Sequence, residues 1–325
     1  MKKALICGVS GQDGAFLAEL LLSKGYAVAG SSRDAQLSSF ANLHALGVRE
    51  RVELVSMVPT DFRSVISAIL KTEPDEIYNL AGQSSVGLSF EQPAETLESV
   101  AMGTLNVLEA LRLVGKTVRC YNACSSECFG ETSAAPADER TPFRPRSPYG
   151  VAKAASFWTV ANYREAYGLF ACSGILFNHE SPLRPPRFVT RKIAAAAARI
   201  ARGSSERLTL GDTSIRRDWG WAPEYVDAMW RMLQKDTPED FVIATGEANT
   251  LEAFVGAAFE HAGLSMKDHV DFDRTLLRPT EIRCTVGDPR RASEALGWTA
   301  HTRMRDVAKR MVDAELRAAQ SVTQR

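Results

Sequence analysis

Short strand-like runs, largely apolar, alternate along the chain with longer segments that read as helices. Runs of the first kind fall at 4–7, 26–29, 52–55, 76–80, 118–122, 171–177 and 241–244, and read as buried strands. Helical segments separate most of them, including 15–22 (closed by Gly25), 64–71, 101–114 and 147–167. This alternation predicts an α/β chain with a doubly wound, parallel Rossmann-type sheet.

The texture changes at Pro182. Further prolines follow at 185 and 186, then an Ala-rich helical stretch at 192–202 and a short strand at 207–210. The run at 241–244 returns to the first sheet. Residues 1–181 with about 221–248 are therefore expected to form a dinucleotide-binding domain, and about 182–220 with 249–325 a smaller α/β substrate-binding lobe, interleaved in sequence.

The first strand runs into Gly8-Val-Ser-Gly11-Gln-Asp-Gly14 and then a helix. Glycine allows positive φ and close backbone approach, and a helix N-terminus offers amides to a pyrophosphate. Gly8, Ser10, Gly11, Gln12, Asp13 and Gly14 are the candidate cofactor contacts on this turn. Leu80 and Ala81, ending another strand, would line the cofactor on its other side. After the second strand, Ser31-Ser32-Arg33-Asp34 offers hydroxyls and the Arg33 guanidinium to a 2′-phosphate, so NADP is expected over NAD.

Two further sets carry the chemistry. Cys124-Ser125-Ser126-Glu127 supplies a hydroxyl and a carboxylate, and Tyr149-Gly-Val-Ala-Lys153 places a phenol and an ammonium on one helical face. The lysine is expected to favour phenolate and lower the Tyr149 pKa towards a useful base. That pair suits hydride chemistry at a hydroxyl-bearing carbon, and Glu127 adds a second base. Ser147-Pro148 reads as a helix start that helps to aim Tyr149.

Composition narrows the partners. Among 325 residues, 39 Lys and Arg balance 39 Asp and Glu, so no global charge draws the chain to nucleic acid or a membrane surface. No apolar stretch reaches the ~18–20 residues of a membrane span. Six cysteines are too few for a disulfide framework here and point to free thiols in a cytoplasmic protein. Cys120, Cys124 and Cys128 lack a neighbouring histidine and metal-site spacing, so no metal is expected.

The glycine turn with Gln12-Asp13, the Ser-x-Glu and Tyr-x-x-x-Lys sets, Asn178-His-Glu-Ser-Pro182, Phe188-Val-Thr-Arg-Lys192, Arg217-Asp-Trp-Gly220 and Arg278-Pro-Thr-Glu281 together resemble the GDP-mannose 4,6-dehydratase family of extended short-chain dehydrogenases/reductases. The resemblance covers nearly the whole chain. It implies a closed redox cycle on a GDP-sugar. Tyr149, with Lys153, would take the C4 hydroxyl proton as hydride passes to the cofactor, Glu127 would remove the C5 proton, and Ser125 would assist loss of water from C6 before hydride returns there. It further implies substrate contacts from Ser84, Asn178, Glu180, Arg184, Val189, Lys192, Arg217, Arg278 and Glu281, and a homodimer or homotetramer. The stretch 31–43, with Leu37, Phe40 and Leu43, is one candidate subunit contact.

Three departures bear on the details. Arg33-Asp34 stands where the family commonly has paired basic residues. Met57-Val58 replaces the Gly-Asp adenine contact, leaving Asp61 as the nearby candidate. Pro185-Pro186 replaces a glycine-containing turn. These changes fit a relative acting on a larger sugar, so GDP-D-glycero-D-manno-heptose stands beside GDP-mannose as substrate. A net NADPH-dependent 4-ketoreductase or epimerase is the alternative enzyme, and a noncatalytic nucleotide-binding protein the alternative outside enzymes.

Overall fold

In the computed structural model, residues 1–276 and 279–323 are described. The strands, in chain order, are β1 (Lys3–Cys7), β2 (Ala27–Ser32), β3 (Val52–Ser56), β4 (Glu76–Asn79), β5 (Arg119–Ser125), β6 (Ala171–Leu176), β7 (Asn178–Glu180), β8 (Leu208–Leu210), β9 (Arg216–Trp221), β10 (Phe241–Ile243), β11 (Ala248–Thr250) and β12 (Val270–Phe272). The seven apolar runs of the sequence are the seven strands of one parallel sheet, in the order β10-β6-β5-β4-β1-β2-β3.

Alternation within β1 explains why both faces are covered. Ala4 and Ile6 join one apolar core with helices Gln12–Ser23 and Ala222–Met232. Leu5 and Cys7 join another with helices Phe62–Thr72 and Gly103–Val114. Successive strand side chains point to opposite faces, so a strand buried on both reads as a continuous apolar run.

Strand order reverses between β1 and β4. In open α/β sheets, ligands bind beyond the carboxyl ends of strands at such a switch. Gly8, Leu80 and Ser125 stand at or just past the carboxyl ends of β1, β4 and β5.

The smaller lobe has its own core. Ile193, Ala197 and Ile200 of helix Val189–Ala201 pack with Phe254 and Ala258 of helix Leu251–His261 and with Val307 and Met311 of helix Met304–Thr323. Two small sheets, β11-β9-β7 and β12-β8, complete it. Part of the 249–325 stretch packs elsewhere: Ala292, Trp298 and Ala300 belong to the core of the large sheet. The Trp298 indole donates to the Glu224 carbonyl (2.8 Å) and meets Tyr225 edge-on, which draws this segment back to helix Ala222–Met232.

One buried carboxylate ties the lobes. Asp218 of β9 accepts from the Thr245 amide (2.9 Å), the Thr245 hydroxyl (2.7 Å) and the Gly246 amide (2.9 Å), just past β10. Burial pushes its carboxyl up to about 6 despite these bonds. No described helix is long and apolar enough to cross a membrane.

Candidate active site

The glycine turn is a backbone cradle. Gly8 has φ +87°, and a Cβ there would lie 3.2 Å from the Leu80 and Ala81 backbone. A Cβ on Gly14 would lie 2.5 Å from the Gly8 carbonyl, so only glycine lets the helix start press on the turn. Gly11 is the N-cap, in an extended conformation with no side-chain cap, which leaves the first-turn amides open to an anion. Ser10 and Gly11 are exposed, and Leu80 and Ala81 lie against the turn from β4, so these residues fit a dinucleotide pyrophosphate.

At the end of β2, Arg33 is exposed. Asp34 Oδ1 accepts from the Gln36 and Leu37 amides (2.9 and 3.0 Å), so its carboxylate folds the following loop. Phe40 and Leu43 are buried in their own core, while Leu37 is exposed. Asp61, expected at the adenine, caps helix Phe62–Thr72 by accepting from the Arg63 amide (3.0 Å). Met57 is buried in the sheet core.

Ser125 closes β5, and its hydroxyl accepts from the Glu127 amide (3.3 Å), starting a single 3₁₀ turn, Ser126–Cys128. That turn meets helix Pro148–Tyr167 where the helix begins. Ser147 caps the helix by accepting from the Gly150 amide (3.0 Å), and Pro148 takes the first helical position, as the sequence predicts. A Cβ on Gly150 would sit 2.8 Å from the Glu127 carbonyl. Below this contact Cys124 Sγ and Cys128 Sγ are 3.5 Å apart. Ser125, Glu127 and Tyr149 are thus brought together by one backbone junction.

Lys153 is buried and donates to the Ala123 carbonyl (2.7 Å), and burial pushes its ammonium down. Its Nζ is 5.8 Å from the Tyr149 ring centre. The expected lowering of the Tyr149 pKa is not what the structure gives. Burial dominates and raises the phenol, Glu127 adds to the rise, and the hydrogen bond with Ser125 opposes it. At 5.8 Å the lysine does not offset desolvation.

Beneath Lys153 runs a buried polar chain that the sequence did not reveal. Asn79 donates to Thr104 (3.2 Å) and to Asn122 (3.1 Å), and Asn122 donates to Ser156 (3.3 Å), whose hydroxyl bonds the Lys153 carbonyl (3.1 Å). Asn79 thus braces β4 to β5 and, through Asn122 and Ser156, to helix Pro148–Tyr167.

Beside the glycine turn lies a second unforeseen arrangement. His179 Nε2 is 2.8 Å from Asp13 Oδ2, and His179 Nδ1 is 2.7 Å from the Phe177 carbonyl. The Ser181 hydroxyl donates to Gln12 Oε1 (2.7 Å), and Gln12 Nε2 donates to the His179 carbonyl (3.2 Å).

Of the expected substrate contacts, Ser84 and Lys192 are exposed, and Asn178 and Val189 half-buried. Lys192 donates to the Thr209 carbonyl (2.8 Å). Glu180 is buried, its Oε2 accepting from Thr190 (2.7 Å) and pairing with Arg184 (3.1 Å), whose guanidinium lies 3.8 Å over the Phe188 ring. Arg217, also buried, pairs with Glu281 (2.8 Å). Arg278 lies outside the described residues.

The model of the family described as GDP-mannose 4,6 dehydratase matches residues 5–311. The chain belongs to this family. It is 46% identical over 328 residues to GDP-mannose 4,6 dehydratase 2 of Arabidopsis thaliana, covering 98% of this chain and 88% of that protein. It is 42% identical over 353 residues to GDP-mannose 4,6-dehydratase of Vibrio cholerae, covering 98% and 95%. Among solved structures, Thermus thermophilus UDP-glucose 4-epimerase in complex with NAD matches with a TM-score of 0.84 at 26% identity, over 96% of this chain and 98% of that one. RMD from Pseudomonas aeruginosa complexed with NADPH shares the fold, with a TM-score of 0.81 at 22% identity over 98% and 100%. The junction of Ser125, Glu127 and Tyr149 at the carboxyl end of β5 is the candidate reaction centre.

Proposed function

We propose that the chain is a nucleotide-sugar 4,6-dehydratase, a hydro-lyase that converts GDP-mannose to its 4-keto-6-deoxy sugar. The observation that carries this reading is the packing of Glu127 against the first turn of the Tyr149 helix. The Glu127 charge reaches the Tyr149 phenol and raises it, so two proton-transfer groups stand beside one site, where simple reduction needs only one.

A nicotinamide dinucleotide on the glycine turn supplies the hydride acceptor at C4 and the hydride returned at C6. The chain's own groups move the protons. Tyr149 rests as phenol; it must first release its own proton to water, and as phenolate it then takes the C4 hydroxyl proton, the Ser125 hydrogen bond being the contact that favours the phenolate. The 4-keto group acidifies C5, and Glu127 removes that proton. Ser125 assists departure of the C6 hydroxyl, which leaves as water with one of the released protons. When hydride has returned to C6 a proton is restored to C5, so that the cycle loses one water and no reducing equivalents.

NADP is the favoured dinucleotide, because Asp34 is spent on loop amides while Arg33 is exposed at the end of β2. Asn178, Arg184, Lys192, Arg217 and Glu281 are the GDP-sugar contacts this reading favours. The Pro185-Pro186 turn beside Arg184 supports a second reading, in which GDP-D-glycero-D-manno-heptose is the preferred sugar.

Six buried free cysteines suit a cytoplasmic enzyme. A homodimer or homotetramer is supported by exposed apolar side chains on two adjoining helices: Val151 and Trp158 (62% exposed) on one, Leu113 on the other. Product mass after incubation with GDP-mannose tests the reaction, and solution mass tests the assembly.

A further inference from the structure

His179 stands between two acceptors. A neutral imidazole has one N–H and one lone pair, so with the Phe177 carbonyl on Nδ1 and the Asp13 carboxylate on Nε2, one contact would be lone pair against lone pair. A doubly protonated ring satisfies both. The Tyr225 ring stacks on the imidazole at 4.6 Å and 23°, presenting its negative face to a cation. Asp13 Oδ1 accepts from Gln12 Nε2 (2.9 Å), a bond that favours the carboxylate over the acid.

We propose that His179 is a positioning residue, kept doubly protonated, whose ion pair with Asp13 locks the glycine turn to β7 and so aligns the cofactor cradle with the sugar-nucleotide lobe. The proposal deepens the dehydratase reading and rests on it for what the two halves bind.

The mechanical path is continuous. Gln12 and Asp13 open the helix after the turn, and both are bonded to the 179–181 segment. β7 pairs in parallel with β9, Asn178 opposite Trp219 and Glu180 opposite Trp221. β9 carries Arg217, paired with Glu281 of the lobe.

The charged and titratable groups facing His179 are Asp13 from helix Gln12–Ser23, Arg184 from the turn after β7 and Tyr225 from helix Ala222–Met232. Glu180 is paired with Arg184. Burial alone would lower the imidazole, but the charge and hydrogen bond of Asp13 outweigh it and the net direction is up, with Arg184 opposing. Once the ring loses its second proton, one nitrogen presents a lone pair to its acceptor and the Asp13 carboxylate loses its cationic partner, so the lock weakens.

Imidazole nitrogen NMR on protein labelled in its five histidines tests this directly. Replacing His44, His261, His269 and His301 by glutamine leaves His179 as the remaining signal. The expected result is N–H on both ring nitrogens near pH 8, where an ordinary imidazole of pKa about 6.5 is neutral. A neutral ring there overturns the proposal.

A second readout uses NADPH fluorescence without sugar. Affinity should fall about tenfold as His179 deprotonates. In Asp13→Asn the amide can donate to a neutral Nε2, so the affinity should lose that alkaline decline. Superposable wild-type and Asp13→Asn profiles overturn the lock. Failure to bind NADPH at any pH overturns the enzymatic reading, and the cradle role with it, whatever the imidazole spectrum shows.

Discussion

Gly150 meets the Glu127 carbonyl so closely that a methyl at Gly150 would stand 2.8 Å from that oxygen. The two candidate proton acceptors, Glu127 and Tyr149, are thereby fixed to each other through backbone. Gly150→Ala must push the 3₁₀ turn and the helix start apart. Misplacement of about 1 Å costs on the order of 100-fold in rate, so kcat should fall by about that factor, with dinucleotide affinity retained. A kcat within about threefold of wild type would show that the junction does not set the geometry.

Glu127→Gln separates dehydratase from reductase. The amide cannot take the C5 proton, and product formation should drop at least about 100-fold. Oxidation at C4 remains chemically open, so absorbance of reduced cofactor should accumulate in a single turnover. Undiminished water loss would remove Glu127 from the role of C5 base.

Arg33→Ala tests the cofactor assignment. Loss of a guanidinium–phosphate contact should weaken NADPH binding about tenfold or more and leave NADH nearly unchanged. Equal loss for both dinucleotides would place Arg33 away from the 2′-phosphate.

The Asp13–His179 pair has a signed effect on stability. His179 is raised from 6.5, so its contribution is complete below that value and lost as pH climbs through the folded-state pKa. Asp13 is lowered from 3.8 by His179, Gln12 and Arg184 against the opposing, larger single effect of burial. Its contribution is complete above 3.8 and lost as pH falls through the folded-state value. The Tm difference between wild type and His179→Gln should therefore be largest between pH 3.8 and 6.5 and shrink as the pH climbs through the raised folded-state value of His179. A difference independent of pH would contradict the pairing.

Glu76 offers a structural control at the other end of the sheet. Its buried carboxylate accepts from Lys2 (2.9 Å), Tyr26 (3.1 Å), Tyr78 (2.7 Å) and Gln234 (3.2 Å). Glu76→Ala leaves these donors unsatisfied and should cost about 3 kcal/mol in urea denaturation, with KM unchanged. A loss below about 0.5 kcal/mol would mean that water replaces the carboxylate freely.

The large sheet was legible because most of its strands are buried on both faces and leave short, largely apolar runs, the edge strand β3 with its exposed Glu53 and Ser56 being the exception. Strand ends were less so. β5 was expected to stop at the polar Asn122 and continues to Ser125, opposite Leu176, because Ala123 and Cys124 beyond it are buried and stay paired with Gly174 and Ile175. β7, polar in sequence as Asn-His-Glu, carried no strand signal. The Ser125, Glu127, Tyr149 and Lys153 set was legible from residue type and spacing. Its electrostatics were not, since the burial that raises Tyr149 is a property of the folded environment. Gly150 looked like any helix residue until Glu127 was seen against it. The Asp13–His179 contact joins residues 166 apart, a pairing that no local pattern announces.

The central claim is a dehydration that returns its own hydride. The protein should be incubated with GDP-mannose and, separately, GDP-D-glycero-D-manno-heptose in deuterated water with catalytic NADP+, and the products weighed. The account predicts loss of one water with one solvent deuteron gained at C5, and no net cofactor reduction. Product without water loss, or stoichiometric consumption of NADPH, would contradict it.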